Sequence, residues 1–316
     1  MSENSFYGTW YSSPRERYQT LAEILSGRPT PVPDARAEAQ AVKDAARKAI
    51  DHIDGRREPV RIVDKDIAIL LRFGPQAGRP PVETEICELK SIFQPENLPV
   101  LWLEGASDKD SLALLDRLYS GPAPEKIKLD LIQAVALLQT PGLAVPFLER
   151  VVAPATAEPL RREAADALGE QDDPRAVEIL KRLAERDLSA NVRDDAVSAL
   201  AESIVPASVD ALIALAVKSA FEDVRKEAVD GLAEKASEKS VQALERVAFD
   251  DKDTEVQEEA VSALSELPAA EALPVLTKLA KTHPNPEVRK AAISALSELN
   301  DPAVITVLVD IIKGRK

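Results

Sequence analysis

The chain has 316 residues, with 40 Lys and Arg against 54 Asp and Glu, a formal net charge of -14. That length excludes a disulfide-stapled miniprotein, and that charge opposes tracking of a phosphate backbone, so no nucleic-acid partner is expected. Cys87 is the one cysteine and His52 and His283 the only histidines, too few for a disulfide or a Cys/His zinc cluster, and no cofactor is expected.

No apolar run is long enough to span a bilayer, so no transmembrane segment is expected. Met1-Ser2-Glu3-Asn4 begins neither a basic nor an apolar leader region. As written the chain reads as soluble and cytoplasmic; it would be periplasmic or exported if Met1 replaces a removed signal peptide.

The first predicted elements are helical. Arg15–Ser26 reads as a short helix stopped by Gly27. Asp34–Ile53 reads as a second, with Ala39, Val42, Ala46, Ala49 and Ile53 making a stripe behind a Pro33-Asp34 start. Val60–Val63 and Ile67–Phe73 are then rich in β-branched and apolar residues, and Gly74-Pro75 and Gly78–Pro81 punctuate them before Glu83–Leu89. This pattern predicts a small β-hairpin around 60–89. Cys87 falls in its strand Ile86–Glu88, as a small buried hydrophobe rather than a nucleophile. Residues 1–94 thus form a small N-terminal α/β element.

Composition then shifts. Residues 1–126 hold nine of the twelve aromatics and twelve of the 23 prolines, whereas residues 127–316 hold 23 Lys and Arg against 34 Asp and Glu. Leu98–Leu103 reads as the close of an early helical unit, and Asp110–Tyr119 with Lys126–Leu138 as the next. Beyond them a template recurs. Val-Arg-x-x-Ala-x-x-Ala-Leu begins at Val192, and variants begin at Leu160, Val224, Val256 and Val288, so that Arg161, Arg193, Arg225, Gln257 and Arg289 are each 32 residues apart. A second run precedes each template, such as Ala176-Val177-Leu180-Leu183 and Leu273-Leu276-Leu279, on one helical face. Each unit is therefore two antiparallel helices, with Pro174, Pro206, Pro274 and Pro302 near the start of the first.

The Asp-x-x-x-x-Val-Arg entry and the Ala-x-x-Ala-Leu close, as in Asp187 to Leu200, resemble HEAT repeats of the short bacterial kind over about 95–313. The resemblance implies an all-α, right-handed solenoid over 95–316, about six or seven helical pairs, and a binding or scaffolding role. It also implies that second helices line the concave face. Of the catalytic uses of such scaffolds, diiron hydroxylation needs His-Glu pairs, and neither histidine is followed by Glu. A subunit of the bilin-lyase kind and a structural assembly unit are the alternatives to a non-enzymatic protein-interaction scaffold.

Three periodic series are the candidate contacts. The Arg161 to Arg289 series is expected to bond turn carbonyls or acids of adjoining units, and Gln257 suggests that hydrogen bonding matters there as much as charge. Glu170, Glu202, Glu234, Glu266 and Glu298 fall at second-helix ends, where a carboxylate opposes the helix dipole. They are either a solvated edge inherited by duplication or an attractor for a basic partner. On the implied concave face the outward positions are Arg162, Asp194, Lys226, Glu258 and Lys290, then Asp166, Ser198, Asp230, Ser262 and Ser294. The expected partner is another protein with a basic or polar surface. Ala303–Ile312 is more apolar than one face can bury, which slightly favours a weak homodimer through that helix over capping by residues 1–60. His283 reads as an ordinary turn histidine.

Overall fold

The computed structural model describes residues 5–10, 67–73, 81–88, 100–103, 107–138, 140–299 and 301–313. The predicted helices at 15–26 and 34–53 and the Val60–Val63 segment lie outside them. The chain divides into two compact units, Met1–Ala106 and Ser107–Lys316.

In the first unit the strands are β1 (Ser5–Trp10), β2 (Ile67–Phe73), β3 (Pro81–Glu88) and β4 (Val100–Leu103), in the order β3-β2-β1-β4. The expected hairpin is present as the antiparallel pair β2–β3, with Ile69 opposite Ile86, Ala68 opposite Cys87 and a register shift at Arg72/Phe73. Ile69, Leu70 and Leu71 are buried, as a β-branched and apolar run on a central strand should be. Two strands enlarge the hairpin to a sheet. β1 pairs antiparallel with β2, and β4 pairs parallel with β1, Tyr7 opposite Leu101. Leu98–Leu103 therefore does not close a helical unit. Its Val100-Leu101-Trp102-Leu103 run is a strand, stabilised by a partner more than ninety positions away that no local pattern announces.

The second unit is an all-α solenoid of paired helices. First helices are α1 (Asp108–Ser120), α3 (Val145–Val151), α5 (Pro174–Arg186), α7 (Ala207–Lys218), α9 (Glu238–Asp250), α11 (Ala269–Thr282) and α13 (Ala303–Ile312). Second helices are α2 (Glu125–Ala136), α4 (Glu158–Gly169), α6 (Ala190–Glu202), α8 (Glu222–Lys235), α10 (Thr254–Glu266) and α12 (Pro286–Glu298). Side-chain caps mark several starts. Ser107 and Asp110 form a capping box on α1, and Asp173, Ser237 and Asn285 accept backbone N–H groups of α5, α9 and α12. Pro174 occupies the first turn of α5, and Pro206 and Pro302 cap α7 and α13. Pro274 differs: α11 begins at Ala269 behind Pro268, which leaves Pro274 inside the helix, where its ring nitrogen offers no hydrogen to the preceding turn.

The core runs along the array. Each second helix packs on its own first helix and on the second helices before and after it. The template explains this contact. In α6, Val192, Ala196, Val197, Ala199 and Leu200 are buried, and their counterparts in α8 and α10 repeat the pattern. Small residues let the backbones approach: a Cβ added at Gly169 would lie 2.9 Å from Ala199, and one at Gly231 2.9 Å from Ala201. No helix of the described residues is long and apolar enough to cross a membrane.

Candidate functional site

The arginine ladder belongs to the interior. Arg161, Arg193 and Arg225 are buried, the last to 2% exposure. Arg161 donates through Nε and Nη2 to both oxygens of Asp187 at 2.9 and 2.8 Å, and through Nη1 to the Thr156 carbonyl at 2.6 Å. Arg193 reaches the Asp187 carbonyl and Asp223, with its guanidinium 4.0 Å from the centre of the Phe221 ring. Arg225 forks onto Asp251, touches Asp253, and donates to the Ser219 carbonyl at 3.1 Å. Gln257 donates to the Asp251 carbonyl at 2.8 Å and Arg289 to that of His283 at 2.7 Å, the same bond made with and without charge. The ladder ties α4, α6, α8, α10 and α12 to the turns before them, and its three buried arginines also reach acids of the following unit.

The position that receives Arg161 and Arg225 recurs as Asp187, Ser219, Asp251 and His283. Where Gln257 replaces arginine, His283 replaces the acid. His283 is buried at 2% exposure, accepts the Asn285 N–H on Nδ1 at 3.1 Å, and packs 5.3 Å from the Phe249 ring. Its Nε2 is buried without a hydrogen-bond partner, so this is an interior histidine satisfied on one nitrogen.

The outward rows grade from paired to unpaired along the second helices. In the row nearest the helix starts, Arg162 binds Asp195 of the next helix at 2.5 Å, and Lys226 bridges Glu222 at 2.9 Å and Glu255 at 2.6 Å. These two acids hold the Lys226 ammonium above its usual value. Asp194 and Glu258 are half-buried, and Lys290 is exposed with Glu287 3.8 Å away. Burial and then Asp223 and Glu227 raise the Asp194 carboxyl, whose Oδ1 is buried without a partner. One helical turn on, Ser198 donates to Glu227 at 2.8 Å, and Ser262 and Ser294 are exposed.

Asp166 and Asp230 in that second row are solvent-exposed at the surface yet flanked by the helix–helix seam, and among the described residues they are the most perturbed carboxyls. Partial burial pushes Asp166 up to about 6, helped by Asp195, Glu163 and Glu202 and opposed by Arg162. Partial burial pushes Asp230 up to about 7, helped by Glu259, Glu227 and Glu266. Each repelling neighbour comes from its own or the adjacent second helix, so like charges crowd across the helix–helix seam.

The last row is acid throughout. Glu202, Glu266 and Glu298 end α6, α10 and α12, Glu234 is penultimate in α8, and Glu170 follows α4; all five side chains are exposed. Burial of its surroundings, then Glu163 and Glu202, raise the Glu170 carboxyl. The neighbours that crowd this face, Glu163, Asp195, Glu227 and Glu259, are not among the residues picked from the sequence. Their 32-residue recurrence at 163, 195, 227 and 259 was the available signal.

Elsewhere an open groove of about 350 Å³ lies between the turn after α3 and the end of α5, with Val152, Ala153, Pro154 and Leu183 among its lining. Arg182 and Glu149, which also line it, pair at 2.8 Å. Among the described residues no group of His, Cys, Asp and Glu is placed to hold a metal ion.

A family model described as HEAT repeats matches residues 108–201, 209–283 and 248–315. No curated protein matches. Among solved structures, human deoxyhypusine hydroxylase is 20% identical over 65% of this chain and 82% of its own, with a TM-score of 0.29. YibA of Escherichia coli is 18% identical over 64% and 72%, with a TM-score of 0.35. The CpcE–CpcF complex of phycocyanin lyase from Nostoc is 18% identical over 58% and 97%, with a TM-score of 0.28. At these identities and TM-scores the three likenesses add nothing to what the family match shows.

Proposed function

The chain belongs to the HEAT-repeat family, and from that premise we propose a non-enzymatic protein-interaction scaffold of the short-unit bacterial kind, whose second helices capture an extended basic or polar segment of another protein. The observation that carries this reading is the seam around Asp166 and Asp230, where partial burial and then the crowding of like charges raise both carboxyls above the ordinary aspartate value. Repulsion of this kind costs stability and does nothing for folding. A cationic segment laid across the seam would relieve it, so the free energy stored by like charges becomes available to binding. Cations nearer the helix starts are already committed, Arg162 to Asp195 and Lys226 to Glu222 and Glu255. The free negative charge is therefore concentrated toward the glutamate row.

Fluorescence anisotropy with the full chain tests this, using a labelled alternating Lys-Ser peptide and an alternating Glu-Ser control. The Lys-Ser peptide should bind, and its affinity should fall steeply with salt. Equal behaviour of the two peptides would sink the reading. The alternative of an enzyme-associated subunit of the bilin-lyase kind is separated by absorbance: co-expression with a bilin pathway would leave a visible band on the purified chain.

A further inference from the structure

The repeat breaks at its second layer. First helices α5, α7, α9 and α11 have 13, 12, 13 and 14 residues, but α3 has seven. The later units turn from first to second helix over three residues, as at 187–189 and 219–221, whereas α3 reaches α4 through 152–157, Val-Ala-Pro-Ala-Thr-Ala, without a charge. The short helix packs less closely on α5 than α5 does on α7. The end of α5 is left partly uncovered, and the open groove of about 350 Å³ forms there, with the nearly buried Val152 and Leu183 and the more exposed Ala153 and Pro154 among its lining.

Charge beside the groove is positive and uncommitted. Both acids of its lining are held within the chain: Glu149 pairs with Arg182 at 2.8 Å, and Asp187 with Arg161 at 2.8 Å. Arg186, also in the lining, is exposed and makes no ion pair or hydrogen bond among the described residues. Glu185 is one residue earlier, about 100° round the helix, and does not line the groove. One layer on, Lys218 holds the position of Arg186 at the end of α7; it too is exposed and unpaired, and Glu222 beyond it is held by Lys226 at 2.9 Å. Helix C-termini favour cations, but that preference leaves Leu188 unexplained. Leu188, in the turn after α5, is 96% exposed, where the same position in later units holds Ala220, Lys252 and Pro284.

We propose that this edge docks a segment of another protein in which apolar side chains adjoin carboxylates. One apolar side chain enters the groove, a second rests on Leu188, and the carboxylates meet Arg186 and Lys218. The groove is at the small end of the range for ligand sites, enough for one large side chain, and the apolar contact continues past it onto Leu188, so an extended segment fits it better than an enclosed small molecule. Helices packed about 8–10 Å apart set the two cations about three residues apart along an extended chain that rises roughly 3.3 Å per residue. The site lies at first-helix ends, on the opposite edge of the array from the glutamate row, and does not rest on the second-helix reading.

Fluorescence anisotropy of the full chain with a labelled Ser-Leu-Glu-Ser-Leu-Glu-Ser peptide tests this, beside one version with both Leu changed to Ser and one with both Glu changed to Lys. The Leu-Glu peptide should bind in the micromolar range, and each control about tenfold more weakly. Ala153→Phe fills the groove, and Leu188→Asp removes the outer contact and adds a repelling charge. Each should weaken the Leu-Glu peptide about tenfold with the melting temperature retained, and Leu188 is too exposed for its replacement to disturb the fold. Neither substitution should change binding of the alternating Lys-Ser peptide, which meets the other edge; a parallel loss of both peptides would overturn the assignment to this groove. No binding of the Leu-Glu peptide, equal binding of either control, or affinity indifferent to both substitutions would overturn the proposal. Octanoate displacing the peptide at equal concentration would make the groove a small-molecule site and overturn docking of a segment.

Discussion

The arginine ladder and the glutamate row share a 32-residue period and lie at opposite ends of the same second helices, but they meet opposite fates. Arg161, Arg193 and Arg225 are buried against carbonyls and carboxylates, whereas Glu170 through Glu298 stand exposed at helix ends that disfavour them. A repeated residue is therefore not by itself a sign of function. Burial and partners decide: the ladder is consumed in joining unit to unit, whereas the glutamate row stays at the solvent-exposed surface.

The largest effect should come from breaking the buried side of this comparison. Arg225→Ala strands the Asp251 carboxylate, whose side chain is 5% exposed, and should cost about 3–5 kcal/mol in urea unfolding. The chain itself contains the remedy. Arg225→Gln, Asp251→His and Asp253→Asn together copy the Gln257, His283 and Asn285 set, and should recover more than half of that loss. If the triple variant is no more stable than Arg225→Ala, charge rather than hydrogen bonding holds the seam. Leu200→Ala, an apolar counterpart in the last turn of α6 at 0% exposure, should cost about 2–5 kcal/mol. An unmoved urea midpoint would show that the ladder, and not the Leu/Ala/Val face, carries the array.

How far these features were legible in the sequence differs by region. The array was readable because each unit repeats its neighbour: Val192-Arg193 through Leu200 predicts its own helix, its buried face and the carbonyl-bonding role of Arg193. β1 and β4 were not readable, because a parallel pair such as Tyr7 with Leu101 leaves no local periodicity. The exact start of α11 was also missed, since Pro268 and Pro274 are equally good openings by sequence and only packing chooses between them. On the candidate face the outward rows followed from the helical period, but their grading did not. That Lys226 is tied up by Glu255 of the next helix, while Asp230 meets Glu259 and Glu266, depends on which helix lies beside which.

Titration should produce a smaller effect with a definite sign. Asp166 and Asp230 have folded values of about 6 and about 7, above the 3.8 of an unperturbed aspartate. The folded chain therefore binds more protons than the unfolded chain between pH 4 and those values, and stability is lost as pH rises through them. Lowering pH from 8 to 5 should stabilise the array by about 1–2 kcal/mol, well short of the full linkage value because both groups are half exposed to screening solvent. Asp230→Asn should remove much of this dependence. The same protonation removes the charges of Asp166 and Asp230 from the seam, so capture of a basic peptide should weaken over the range in which the fold is strengthened. Melting temperatures and peptide affinities that move together with pH would break that link.

The smallest effect on stability, and the most direct test of the comparison, is expected at the exposed end of the helices. Glu202, Glu234 and Glu266 replaced together by Gln should leave the melting temperature within a few degrees of the parent, or slightly above it as like-charge and dipole conflicts are relieved. The decisive measurement is the affinity of this variant for the alternating Lys-Ser peptide across a salt series. An exposed glutamate row that exists to meet a cationic partner predicts binding several-fold weaker than the parent at low salt, with a flatter salt dependence. Affinity and salt dependence equal to those of the parent would contradict it, and would leave the row as an inheritance of duplication alone.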